Sequence, residues 1–218
     1  MRLIRHEDAK LWQQSAFLLS LLQALSLAAF ALTVNYYAVR YATSFAGPAV
    51  PDIVFRYVPI MEFMWLDSYG ALYLEYAILA FAVLRTRSLV FLLKTMAVLI
   101  LVRDVFINMT NLGIPEGTIP TTSFFTQGGD LFFSGHTALP IMAALIFWHL
   151  PKVRAFMLGV AVVLVVEVLL GRQHYSIDVF AAPFIVYGVY MFCRHLFKAD
   201  YEQSIAPDER GDSAVATR

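Results

Sequence analysis

Residues 14–39 read QSAFLLSLLQALSLAAFALTVNYYAV and contain no Asp, Glu, Lys or Arg. An apolar stretch of about 20 residues without charge is long enough to cross the hydrocarbon core of a bilayer as a helix. A helix suits lipid because all its backbone hydrogen bonds are made within the segment. The stretch therefore predicts an α-helical integral membrane protein.

The remainder of the chain has the same character. Of its 218 residues 60% are hydrophobic and 15% are charged, with a mean hydropathy of +0.67. The formal net charge is zero, so nothing in the charge favours nucleic-acid binding. The single cysteine, Cys193, cannot form an intramolecular disulfide or a CxxC site. No cluster has zinc-ligand spacing or the carboxylate run of a magnesium site, so we expect neither a metal nor another cofactor.

Five further apolar segments approach the length of a membrane span. The sequence predicts an all-α bundle of six transmembrane helices at 14–39, 69–84, 88–108, 137–150, 155–170 and 178–197. We assign residues 1–13 to a cytoplasmic N-terminal segment and 14–197 to the transmembrane catalytic domain. Residues 198–218 are polar and lack periodicity, which predicts a disordered cytoplasmic tail.

Basic residues near the helix ends predict the orientation. Nine of them fall in one set of connections, namely Arg2, Arg5, Lys10, Arg85, Arg87, Lys152, Arg154, Arg194 and Lys198. The other set holds Arg40, Arg56 and Arg172. The positive-inside rule then places both termini in the cytoplasm and turns the connections at 40–68, 109–136 and 171–177 outward.

Two histidine motifs lie on these outward connections. His136 follows Ser134-Gly135 at the start of the fourth predicted helix, and His174 and Asp178 stand four residues apart at the start of the sixth. Such a pair suits a phosphohistidine mechanism, in which the carboxylate orients the nucleophilic ring and a second histidine acts as acid and base. The alternatives are an interfacial histidine for His136 and a local helix-capping pair for His174 with Asp178.

Phosphate-binding groups are predicted beside the histidines. Ser134 and Gly135 can present a hydroxyl and backbone N–H groups at a helix N-terminus, which favours an anion. Arg103 can grip phosphate oxygens with its planar fork, or it can be a structural arginine paired with Asp104 or Glu167. Asp130 and Tyr175, which adjoin the motifs, complete the predicted substrate site. The sequence leaves the roles of Glu75, Asp104 and Glu167 open.

The motifs resemble those of a known family. Residues 129–137, GDLFFSGHT, resemble the first catalytic motif of the sphingomyelin synthases, and residues 174–179, HYSIDV, resemble the second, closest to the ceramide phosphoethanolamine synthase branch. Arg103 with residues 109–115, MTNLGIP, is similar to the segment that ends their third helix, and Pro51-Asp52 is weakly similar to a fourth motif. The resemblance covers about residues 50–197 and extends to the related type 2 phosphatidic acid phosphatases.

The resemblance implies an enzyme of lipid metabolism. It would move phosphoethanolamine or phosphocholine from a membrane phospholipid to ceramide or another lipid alcohol and leave diacylglycerol. His174 would be the nucleophile, Asp178 its orienting carboxylate and His136 the acid–base partner. The phosphatase pattern Lys-x6-Arg-Pro is missing, since Lys94 and Arg103 are nine apart, which favours the transferase.

Two other functions remain open on sequence grounds. A lipid phosphatase or phospholipase C-like hydrolase would use the same histidines with water as acceptor. A non-catalytic lipid-binding or scramblase-like module would not require His136, His174 and Asp178 together. The short loops and N-terminal region suit a bacterial inner-membrane protein with its active site outside. The oligomeric state does not follow from the sequence.

Overall fold

The computed structural model describes residues 11–61, 70–119 and 129–206. These residues form α-helices and one short 3₁₀ turn, Val54–Arg56, and contain no β-strand. The helices are α1 Ser15–Ser44, α2 Ala71–Leu84, α3 Thr86–Met109, α4 Gly135–Ile146, α5 Pro151–Leu170, α6 Ser176–Leu196 and α7 Lys198–Ile205. The all-helical prediction is confirmed for these residues, and each predicted span coincides with one of α1 to α6.

Their potential to cross a membrane differs. By length and composition, α1, α5 and α6 can span a bilayer, whereas α2 and α4 contribute shorter apolar stretches. Helix α3 has 24 residues but carries Lys94, Arg103 and Asp104 among them. Long apolar helices give the protein the character of a membrane bundle, and the count of six spans stays a prediction.

Short connections arrange the helices around α3. Arg85 alone joins α2 to α3, and residues 147–150 join α4 to α5, so each of these pairs runs antiparallel. Helix α1 packs along α3, while α4 packs against α5 and α6. The main core cluster contains Phe91, Phe133, Met142 and Phe147, all fully buried. We call the end at which α4 and α6 begin the histidine end and the opposite one the α7 end.

The α7 end differs from its prediction. Lys198–Ile205 forms a helix in the segment predicted to be a disordered tail, and residues 207–218 lie outside the described part of the chain. Helix α7 packs against α3, where Asp200 Oδ2 lies 2.7 Å from Lys94 Nζ. The prediction of disorder was wrong because it considered only the polarity of the segment. The helix is held by an ion pair with a buried lysine more than 100 residues earlier in the chain.

Loops cover the histidine end and bind one another through backbone groups. Gly47 N donates to Asn111 O at 3.0 Å, and Ile119 N donates to Gly171 O at 3.1 Å. A Cβ on Gly113 would lie 2.1 Å from Gly47 O, so this crossing requires glycine. The outward connections predicted at 40–68 and 109–136 are therefore folded structures where they are described, while 62–69 and 120–128 lie outside the described residues.

Candidate active site

The two motif histidines meet at the histidine end. His136 is the second residue of α4, and His174 precedes the start of α6 by two residues. Their ring centroids are 6.1 Å apart, with the ring planes inclined by 61°. A backbone hydrogen bond of 3.1 Å from Ser134 N to Asp178 O ties the two motifs together. Residues 38 positions apart in the chain thus form one site.

Asp178 stands behind His174. Its Oδ2 atom lies 3.6 Å from His174 Nδ1 and also accepts a 2.9 Å hydrogen bond from Tyr175 N, which caps α6. His174 Nδ1 and Asp178 Oδ1 are buried and have no hydrogen-bond partner among the described residues. The 3.6 Å between Nδ1 and Oδ2 is longer than a hydrogen bond, and catalytic hydrogen bonds are often long before substrate binds. Capping and orientation of the histidine are therefore compatible roles for this carboxylate.

Arg103 lies beside the histidines on α3. Its Nε donates to Phe133 O at 2.9 Å, and one terminal nitrogen, Nη2, binds both the backbone carbonyl of Asp130 and its Oδ2 atom, the latter at 3.2 Å. The structural pairing considered with Asp104 or Glu167 is replaced by one with Asp130. Among the described residues, nothing accepts a hydrogen bond from Nη1.

These groups line one end of a cavity of about 350 Å³ bounded mainly by α1 to α4. Arg103, Asp130, Gly135, His136 and His174 all contribute to its wall. The remaining wall is largely leucine, isoleucine and methionine, and it extends along α3 to Leu92. Eleven residues of helix correspond to roughly 16 Å of rise, so the cavity joins a polar end to an apolar channel.

Asp130 and Gly135 lie in the same cavity wall as the two histidines. The Asp130 carboxylate contacts Arg103, so it neutralises and orients that side chain. Gly135 is the first residue of α4, and a Cβ there would lie 3.8 Å from Arg103 Nε, an ordinary contact. The helix N-terminus and the arginine thus converge on the same side of the cavity.

Ser134 and Tyr175 are used differently from their predicted roles. Ser134 is fully buried, and its Oγ accepts from Thr137 N at 3.4 Å as the N-cap of α4. The Tyr175 hydroxyl donates to Gly113 O at 2.8 Å and accepts from Val50 N at 3.0 Å. Burial raises the pKa of Tyr175, which keeps this hydroxyl a donor. Neither residue is part of the described cavity lining, and both hold the site's framework.

The sequence analysis gave too little weight to Asp52 and did not identify Asn35, and both residues belong to the surroundings of the site. Asp52 accepts from Val54 N at 2.8 Å and from Ser176 N at 2.7 Å, so the loop after α1 caps α6 directly. Asn35 of α1 lines the cavity and donates to Asp104 Oδ1 at 2.7 Å. The available signal for Asn35 was an amide within an apolar span, where polar side chains are costly and commonly functional.

Within the described ranges, no group of three or more His, Cys, Asp and Glu side chains is placed to hold a metal ion. The chemistry that these residues themselves offer is nucleophilic attack by an imidazole, proton transfer by a second imidazole and anion binding by a guanidinium.

Comparison with models of known protein families gives a match to part of the chain. Residues 127–196 match the family described as PAP2 superfamily C-terminal. No curated protein matches the chain. The matched segment contains Asp130, Ser134, His136, His174 and Asp178, and its boundaries enclose both motifs. This segment is therefore related to the type 2 phosphatidic acid phosphatases, a superfamily of lipid phosphatases and phosphotransferases.

Proposed function

We propose that the protein is a lipid head-group phosphotransferase. It takes phosphoethanolamine or phosphocholine from a glycerophospholipid, holds it as a phosphohistidine, and passes it to ceramide or another lipid alcohol. The observation that carries this proposal is the pair of histidines at the polar end of a cavity whose remaining wall is largely apolar. Such a cavity suits a substrate with a phosphate at one end and hydrocarbon chains at the other.

In the first step, His174 Nε2 attacks phosphorus. Because Nδ1 faces Asp178, the other ring nitrogen is the one left for the cavity that His174 lines. The N–P bond forms as the bond from phosphorus to the diacylglycerol oxygen breaks. His136 gives its proton to that oxygen, and diacylglycerol leaves.

The second step reverses these roles. The acceptor hydroxyl attacks the phosphohistidine, its proton passes to His136, and the N–P bond to His174 breaks. His136 is then ready for another cycle, and the head group is now attached to the acceptor. Arg103 Nη1 and the N-terminus of α4 are suited to the charge on the non-bridging phosphate oxygens in both steps.

Hydrolysis is the second candidate, and the relation to the type 2 phosphatidic acid phosphatases favours it. Water would resolve the same phosphohistidine and release the free head-group phosphate. The two functions share their first step and differ in the acceptor that reaches His174.

The experiment is incubation of the purified protein with head-group-labelled phospholipid, with and without ceramide, followed by separation of every lipid and water-soluble product. Transfer predicts label in a new lipid only when ceramide is present. Label released as soluble head-group phosphate, with no effect of ceramide, supports hydrolysis and contradicts the transferase. A His174→Ala variant gives the background for both assays.

We further propose that the site faces the extracytoplasmic side of a bacterial inner membrane, with both termini in the cytoplasm. The distribution of basic residues supports this orientation. Single cysteines introduced at position 117 or 173, in a protein lacking Cys193, should react with an impermeant reagent added outside intact cells. Cysteines at 86 or 205 should not react, and the reverse pattern would contradict both the topology and the side of catalysis.

A further inference from the structure

Asn35 occupies a part of the cavity wall that the proposed chemistry does not use. It is partly buried on α1, and its Nδ2 donates to Asp104 Oδ1 at 2.7 Å. Asp104 follows Arg103 on α3, so Asn35 lies at the depth of the phosphate-binding groups. The cavity brings Asn35 into the same wall as Arg103, His136 and His174.

The bond to Asp104 fixes the direction of the Asn35 amide. A carboxylate offers only acceptors, so the amide must present its nitrogen to Asp104. The amide oxygen then points away from Asp104, and no described residue donates to it. Asp104 itself is 4% exposed, and its Oδ2 atom has no hydrogen-bond partner among the described residues. An acceptor backed by a buried carboxylate therefore stands at the cavity wall.

We propose that Asn35 Oδ1 binds the ammonium group of an ethanolamine head group and thereby selects phosphoethanolamine over phosphocholine. This inference rests on the proposed function. The head-group nitrogen is only two carbons from the phosphate oxygen, so phosphate at His174 brings it close to this wall. An ammonium has N–H donors, whereas the quaternary nitrogen of choline has none.

The carboxylate behind the amide favours a cation over a neutral donor. Asp104 polarises the Asn35 amide and adds negative potential on its side of the cavity. A hydroxyl or amide of the acceptor lipid would gain less from that potential than an ammonium does. A site built for a donor also discriminates strongly against an analogue that lacks one, because its acceptor is then left unpaired.

The first test uses the wild-type protein with a methylation series of donor lipids in vesicles. These are phosphatidylethanolamine, its N-methyl and N,N-dimethyl forms, and phosphatidylcholine, all with the same acyl chains. One N–H is enough for the bond, so diacylglycerol release should fall little up to the dimethyl lipid. It should then fall about tenfold or more at the quaternary lipid. A gradual decline along the series, which indicates size, or a preference for phosphatidylcholine would overturn the inference.

The second test compares Asn35→Ala with Leu32→Ala. Leu32 lies one turn earlier on α1 and lines the same cavity without a polar group. Asn35→Ala should reduce the preference for phosphatidylethanolamine over phosphatidylcholine by about tenfold to a hundredfold. Leu32→Ala should leave that ratio as in the wild type, whatever it does to the two rates.

The remaining outcomes separate this inference from the proposed function. If the wild type releases diacylglycerol from both lipids and Asn35→Ala keeps their ratio, the assignment of Asn35 is wrong and the phosphotransferase remains. If Asn35→Ala impairs only transfer to the acceptor, Asn35 binds the acceptor lipid and the assignment is again wrong. If the wild type acts on none of these lipids, the proposed function is wrong, and the inference that rests on it is wrong as well.

Discussion

Two basic side chains on α3 are used in opposite ways at its two ends. Near the α7 end, Lys94 Nζ contacts Asp200 Oδ2 and Ser20 Oγ, both at 2.7 Å, and Gln23 Oε1 at 3.4 Å. An ammonium has three N–H donors, and all three are engaged within the protein. Near the histidine end, Arg103 lines the cavity and engages Nε and Nη2, whereas its Nη1 has no partner among the described residues.

The difference distinguishes a structural charge from a charge available to a ligand. A saturated buried ion pair holds elements together, and here it fastens α7 to α1 and α3. A guanidinium held in place by loop carbonyls, with one donor group left over, is preorganised for an anion. Changes at the α7 end should therefore lower stability, whereas changes at the histidine end should lower turnover.

The largest effect is expected for His174→Ala. Loss of the nucleophile should lower turnover by at least about 10⁴-fold and abolish acid-labile labelling of the protein from labelled phospholipid. His195→Ala is the matched control, since His195 is exposed near the far end of α6, the helix that follows His174, and contacts Met191 O through Nδ1. Wild-type turnover in His174→Ala would contradict the nucleophile assignment, and with it the contrast between the two ends.

Lys94→Met should give the next largest effect, on stability. It leaves the partly buried Asp200 without its cation, and breaking a buried pair in this way costs at most about 3–5 kcal/mol. The melting temperature in detergent should fall, while turnover per folded molecule stays near the wild type. Lys94→Met with Asp200→Leu should recover most of the stability. If turnover falls in the folded fraction, the α7 end is more than structural.

Arg103→Lys should lower turnover by about 10²–10³-fold, the usual result of removing a donor to the transition state. Lysine keeps the charge beside Asp130 but cannot fill both the Phe133 and Asp130 carbonyl positions and still reach the phosphate. The melting temperature should fall less than in Lys94→Met. Full activity, or activity lost only in proportion to stability, would make Arg103 as structural as Lys94.

Gly135→Ala should have the smallest effect, less than about threefold on turnover. The added Cβ would meet Arg103 Nε at an ordinary 3.8 Å, and alanine is the better helix former. Gly113→Ala is the contrasting variant, because its Cβ would lie 2.1 Å from Gly47 O and must displace the loop backbone. A loss of tenfold or more in Gly135→Ala would show that substrate needs the space beside Arg103.

Much of the fold followed from local pattern. Apolar runs predicted each of α1 to α6 because a mainly apolar stretch of helical length has few alternatives to a helix in lipid. The prediction of a disordered tail was wrong at residues 198–205, which form a helix, because no local pattern marks that helix. Its polar sequence has no apolar run to signal a helix, and the ion pair that Asp200 forms with Lys94 joins residues 106 positions apart in the chain.

The sequence by itself determined that the protein is a helical bundle of membrane character, and it singled out His136, His174 and Asp178 as the candidate reactive groups. Composition fixes the first, and residue chemistry at short spacing motivates the second. Only the tertiary structure decided which partners the remaining polar residues take. Ser134 and Tyr175 became framework and Asp130 the partner of Arg103, while Asn35 joined the cavity wall. These outcomes depend on contacts between distant helices, and a buried polar group takes whichever partner the packing brings within hydrogen-bond distance.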